Sequence, residues 1–177
     1  MNYWLFKSEP SVFSFEALKA KGKAGTQWDG VRNYAARNNM KAMQIGDLGF
    51  FYHSNEGLNI VGIAEVCALA HPDSTTDDPR WECVDIRAVK DVPNPPTLEE
   101  VKANPKLAEM ALVRLGRLSV QPVTPAEWKE VCRMGGLTPP RDDTHAEQRQ
   151  KIHPRQYGAD GTAARTRSLV ASGRRSA

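Results

Sequence analysis

Residues 46–69 read GDLGFFYHSNEGLNIVGIAEVCAL, and the reading of this stretch decides the fold. Gly46-Asp47 is a turn signal, Leu48 to Ser54 is aromatic enough for a strand, and Asn55 to Gly57 marks a hairpin before a second apolar run over 58–70. Two antiparallel strands follow. Downstream, ECVDIRAV (Glu82 to Val89) alternates polar and apolar residues, which predicts a third strand over 82–90, with His71 to Arg80 as the connecting loop. Upstream, YWLF (Tyr3 to Phe6) ends at Lys7-Ser8-Glu9-Pro10, a strand over 2–7 stopped by proline. RLSVQPV (Arg117 to Val123) supplies a fifth strand over 117–122. Helices are expected after the N-cap Ser14, from about Asn33 with Tyr34, Met40 and Met43 on one face, after the Thr97/Glu100 capping box, and after Thr124-Pro125 with Glu127, the last stopping at Gly135-Gly136. Strands that do not alternate strictly with helices predict an α+β domain built on a curved, mostly antiparallel sheet.

The chain has 177 residues, one domain's worth, and a formal charge of +3. That charge is unevenly placed. Residues 138–177 hold eight basic and four acidic residues, whereas 1–137 hold 16 and 17. The expected organisation is a domain over 1–137 followed by a basic, disordered tail over 138–177, where only Ile152, Tyr157, Leu169 and Val170 are large and apolar. No window reaches the run of about 18 apolar residues that a membrane span needs, and MNYWLFKSEP does not read as a signal peptide. The expectation is a soluble intracellular protein, cytoplasmic in a bacterium. Cys67, Cys83 and Cys132 are too widely spaced for a disulfide framework or a zinc site and are read as reduced core thiols.

GxxxxGK[ST], GxGxxG, GxSxG and HExxH are all missing. Of four histidines only His53 falls on a core element, and its neighbour Ser54 points to the opposite face of a strand, so the two cannot pair as base and nucleophile. Three segments stand out instead. YWLFKSEP, WDGVRNYAARNN and FFYHSN interleave aromatic rings with hydrogen-bonding side chains, a mixture suited to a flat ligand stacked on its π-face and read along its edge. The alternative is that Trp4, Phe6, Tyr34, Phe50, Phe51 and Tyr52 fill the core while Asn33 and Ser14 cap helices. Trp28, in a loop, is the ring for which the pocket reading leads. Residues 1–55 carry seven basic residues against four acids, so Lys19, Lys21 and Lys23 could follow a phosphate backbone; a solvated helix face is the alternative.

YWLFKSEP, WDGVRNYAARNNM, GDLGFFYHSNEGLNIVGIAEV, LGRLSVQPVTPAEW and VCRMGGL together resemble the EVE domain family over about residues 1–137. The resemblance implies a PUA-like fold, a small curved β-barrel of five or six strands flanked by helices and related to the YTH and ASCH domains. It implies a pocket for a modified base in DNA or RNA, with no cofactor, no metal and no established catalysis. Carried over by motif, Lys7, Ser8, Glu9, Trp28, Gly30, Val31, Asn33, Tyr34, Tyr52, His53 and Ser54 are expected in or beside the pocket. Arg32 and Arg37 are expected to join the lysines in binding phosphate. The expected function is a non-catalytic reader of a modified base. Two alternatives are an enzyme using His53 or Glu9 as general acid or base in the same pocket, and a protein-interaction adaptor.

Overall fold

The computed structural model describes residues 1–138; the expectations made for the tail beyond Thr138 lie outside the described residues. Six strands form one sheet: β1 (Tyr3–Ser8), β2 (Thr26–Gln27), β3 (Leu48–His53), β4 (Asn59–Pro72), β5 (Glu82–Asp91) and β6 (Val120–Val123). Their order is β2-β5-β4-β3-β1-β6. The hairpin read from residues 46–69 is β3–β4, with Leu48 opposite Glu65 and His53 opposite Asn59. Asn55 and Leu58 take positive φ in its turn, as a tight reversal demands. Helices are α1 (Phe15–Ala20), α2 (Tyr34–Ala42), α3 (Leu98–Ala103), α4 (Ala111–Arg114) and α5 (Pro125–Met134).

One expectation is refined and another corrected. Four of the five strand pairings are antiparallel, as expected, but β1 and β3 run parallel, from Tyr3 opposite Leu48 to Ser8 opposite His53. Residues 9–47 between them form a long crossover, the connection a parallel pair requires. Nor is the sheet a closed barrel: it ends at β2 on one side and β6 on the other. YWLF is apolar at every position, and such a strand needs cover on both faces; here helices supply it on each. Trp4 and Phe6 accordingly join Phe51, Val66, Val84 and Ile86 in a core closed by Phe15 and Leu18 of α1 and by Ala36 and Met40 of α2. Leu5 joins Phe50, Tyr52 and Ile63 in a second core closed by Val101 of α3, Leu112 of α4, and Trp128, Val131 and Cys132 of α5. Trp128 lies stacked between Tyr3 and Phe50, with ring centroids 4.4 and 4.0 Å away.

Gly62 is fixed by packing rather than by backbone angle, since a Cβ there would stand 2.2 Å from the Phe15 ring. Strand pairing thus comes within reach of α1 only because this position is bare. Cys83 and Cys132 are buried, one in each core, and burial holds their thiols up at about 12 and about 11. Among the described residues no helix is long and apolar enough to cross a membrane.

Candidate functional site

The sheet's last strand, β2, pairs only with β5: Thr26 lies opposite Ile86 and Gln27 opposite Asp85, and the Trp28 N–H extends the ladder to the Val84 carbonyl at 2.8 Å. Backbone groups alternate sides along an antiparallel strand. With Thr26 and Trp28 turned toward β5, the Gln27 N–H and C=O face the sheet's free edge. A cavity of about 470 Å³ lies there, lined by Ser8, Val12, Phe13, Lys21, Thr26, Gln27, Trp28, Gly30, Arg32 and their neighbours. That volume falls within the range of about 300–1,000 Å³ usual for ligand pockets.

Trp28 is the hinge between cavity and core. It is 8% exposed, meets Phe6, Phe13 and Phe51 edge-on at 5.4, 6.2 and 5.5 Å between centroids, and also lines the cavity. The expected choice between core ring and pocket wall is therefore false, because the same indole serves both. An alanine there would open both the core and the pocket.

The wall after Trp28 is held from outside. Asp73, at the start of the β4–β5 loop, is buried and accepts hydrogen bonds from the Gly30 N–H (2.9 Å), the Arg32 guanidinium (3.0 Å), the Thr75 N–H (2.8 Å) and the Thr75 hydroxyl (2.5 Å). Burial works against its charge, but the bonds from Thr75, Arg32 and Gly30 outweigh it and hold the carboxyl at about 2. Gly30 adopts φ +76°, with open space where a Cβ would stand, so here glycine answers a backbone need. The same loop reaches α2, where Trp81 stacks on Tyr34 at 5.0 Å and the Arg80 carbonyl accepts from Arg37 at 2.9 Å.

Of the residues expected at the pocket, Lys7, Ser8, Trp28, Gly30 and Val31 line the cavity, joined by Arg32 and Lys21 from the expected phosphate set. The others are elsewhere, for nameable reasons. Tyr52 is opposite Lys7 in the β1–β3 register and buried in the second core, on the other face of the sheet. Lys7 contributes its position in β1, but its ammonium donates to the Gly116 carbonyl at 2.6 Å and lies over the Tyr52 ring, where burial lowers its pKa. Asn33 is the N-cap of α2 and accepts the Ala36 N–H at 2.9 Å, which puts Tyr34 on the helix's exposed first turn. Glu9 accepts from Asn55 at 2.5 Å, and the Ser54 N–H donates to the Ser8 carbonyl at 2.9 Å. His53 Nε2 accepts the N–H of Phe15, the first residue of α1, at 3.1 Å. That bond requires the neutral ring, and burial lowers the His53 pKa in the same direction. Neither residue expected to act as acid or base, Glu9 or His53, is among the cavity's lining.

The expected phosphate set divides likewise. Lys19 is spent on Glu16 (2.6 Å) and Asp91 (2.9 Å), Arg32 on Asp73, and Arg37 on Asn38 and the Arg80 carbonyl. Lys23 lies on the turn after α1 and faces a separate groove with Lys19 and Arg87. Lys21 alone of the three lysines is at the cavity.

Sequence reasoning missed Val12, Phe13, Thr26, Gln27, Asp29 and Ser119, which also line the cavity. It missed Asp73 too, although Asp73-Ser74-Thr75 carries the signal of an aspartate bonding a backbone N–H two residues on.

These features define an α+β domain with one open sheet covered on both faces and a cavity set against its shortest edge strand. The chain belongs to the EVE domain family, whose model matches residues 2–134. Thymocyte nuclear protein 1 of Mus musculus is 40% identical over 170 residues, covering 78% of this chain and 75% of that protein. The crystal structure of an Agrobacterium tumefaciens protein is 67% identical, covers 78% of this chain and 97% of its own, and superposes with a TM-score of 0.77. Human THYN1 protein, in complex with 5-methylcytosine containing DNA, is 36% identical, covers 78% of this chain and 100% of its own, and has a TM-score of 0.72.

Proposed function

We propose that the domain binds nucleic acid and takes a modified base into the cavity beside β2, without transforming it. The observation that carries this reading is the pairing, in one cavity, of an indole with an unpaired strand edge. Trp28 offers a surface on which any base can stack, worth about 1–3 kcal/mol per base. The Gln27 N–H and C=O offer a donor and an acceptor side by side to the base's hydrogen-bonding edge. Lys21 adds positive charge at the cavity, suited to a flanking phosphate. The complex of human THYN1 protein with 5-methylcytosine containing DNA supports the same reading by relationship. Among the described residues the stacking is one-sided: Phe13 is the other ring in the lining and meets Trp28 edge-on, so no second described ring closes over the ligand from the far side.

The test is a titration of the purified chain with labelled oligonucleotides identical except for one base, cytosine or 5-methylcytosine first, then other modified bases, each as DNA and as RNA. Tighter binding of one modified strand, lost in Trp28→Phe, supports the reading. Equal affinity across the panel, with Trp28→Phe indistinguishable from the parent, overturns it.

A further inference from the structure

We propose that Val12 is the wedge that enters a duplex when a base leaves it for the cavity. This inference rests on the base-pocket reading above and adds to it the form of nucleic acid that the site acts on.

An exposed apolar residue is by itself unremarkable. Val12 differs by its place. It is 78% exposed, and of the exposed large apolar residues described it alone lines the cavity. It closes a turn that begins at Glu9 and is braced by several hydrogen bonds. The Val12 and Phe13 N–H groups both donate to the Glu9 carbonyl at 2.9 Å. The Ser8 hydroxyl donates to the Phe13 carbonyl at 2.7 Å, and the Glu9 carboxylate accepts from Asn55 at 2.5 Å, tying the turn to the β3–β4 hairpin. Phe13, next in the chain, packs edge-on against Trp28. The turn that presents Val12 is thereby joined to the ring on which the base would stack.

Extracting a base leaves a gap in the stack and exposes the flat faces of its neighbours. Proteins that distort duplexes relieve this with apolar side chains inserted between base steps. Such a side chain must stand rigidly and carry no polar group whose desolvation would cost energy. A β-branched valine on a braced turn meets both conditions, because its χ1 freedom is already small. It stands at the mouth of the very cavity into which the base moves. A single strand leaves no such gap, so Val12 should matter for duplexes and be indifferent for single strands.

The test compares the parent, Val12→Ala and Val12→Leu on one sequence bearing one 5-methylcytosine, as a single strand and as a duplex with guanine opposite the modified base and 2-aminopurine, paired with thymine, at the neighbouring step. Val12→Ala should bind the duplex about tenfold more weakly, equivalent to roughly 1.4 kcal/mol, with smaller 2-aminopurine brightening at saturation. Its single-strand affinity should match the parent's, and Val12→Leu should restore duplex binding. Equal loss on both forms, or no loss on either, overturns the wedge while the parent's preference for the methylated strand keeps the base pocket standing. A parent without that preference overturns both.

Discussion

Replacing Asp73 by asparagine should loosen the cavity wall and remove a definite amount of stability. In the folded chain the Asp73 carboxyl is held at about 2, against an ordinary 3.8. A shift of that size corresponds to about 2 kcal/mol. Asparagine also turns an NH₂ donor toward partners that are themselves donors, the N–H groups of Gly30 and Thr75 and the Arg32 guanidinium, at a further cost of about 1 kcal/mol. Arg32, part-exposed, can turn to water and limit the damage. At pH 7 Asp73→Asn should therefore lie about 2–3 kcal/mol below the parent, a fall of roughly 8–12 °C in Tm for a body of this size. The pH dependence carries the sharper sign. A carboxyl lowered by folding contributes its full stability above the unfolded value, near pH 4, and loses it as pH falls toward 2. Urea unfolding of parent and variant at pH 7, 5, 4 and 3 should show a gap that is constant to about pH 5 and narrows below pH 4. A gap that stays constant to pH 3, or a variant as stable as the parent at pH 7, would refute the reasoning that Asp73 pins the wall as a carboxylate.

Trp28→Ala should lose about 3–5 kcal/mol of stability through the core and about 1–3 kcal/mol of base binding through the wall, measured by urea unfolding and by oligonucleotide titration under conditions where the variant is folded; loss of only one contradicts its double position. His53→Ala should cost about 1–2 kcal/mol at pH 7 by orphaning the Phe15 N–H. Because burial lowers the folded His53 below its ordinary 6.5, its contribution is present above that pH and lost as pH falls, so the gap to the parent should narrow from pH 7 to 5, as read by urea midpoints. Lys21→Ala should lower the slope of log affinity against log salt by about one, while Lys7→Ala should leave it unchanged, since its ammonium is engaged with Gly116. Gly62→Ala should destabilise by about 1–3 kcal/mol by driving a methyl into Phe15, seen as a lower urea midpoint at unchanged slope.

Strands β3, β4 and β5 were legible because each is marked locally: FFYH, NIVGIAEV and ECVDIRAV carry their own pattern. The parallel pairing of β1 with β3 was not, since it depends on how a crossover of 39 residues folds back, which no short window records. β2 escaped notice because two residues carry no pattern at all. At the site, the alternation that separates His53 from Ser54 also separates Tyr52 from His53, so the two could not both face one pocket. The expectation that gathered them from one motif overlooked that constraint. Tyr34 follows an N-cap and precedes buried Ala36 and Met40, a spacing that turns its ring outward. Asn33 and His53 took the quieter of the readings open to them, each satisfying a helix N-terminus. Trp28 was recognisable as a loop tryptophan, but its contacts with Phe6, Phe13 and Phe51 come from three separate segments and only the folded chain unites them.

A sheet that does not close keeps two open flanks, and an open flank is where one molecule can zip onto another. Here both are blunted. β2 is two residues long, too short to template a foreign strand, and both its residues line the cavity. β6 carries Pro122, which has no N–H to offer, and its Val120 carbonyl is taken by the Asn39 side chain at 2.8 Å. Self-assembly through the sheet is thus discouraged at both ends by different means. Pro122→Val together with Asn39→Ala would restore a continuous unguarded row of hydrogen-bonding groups along β6, and the variant should associate with rising concentration more than the parent does.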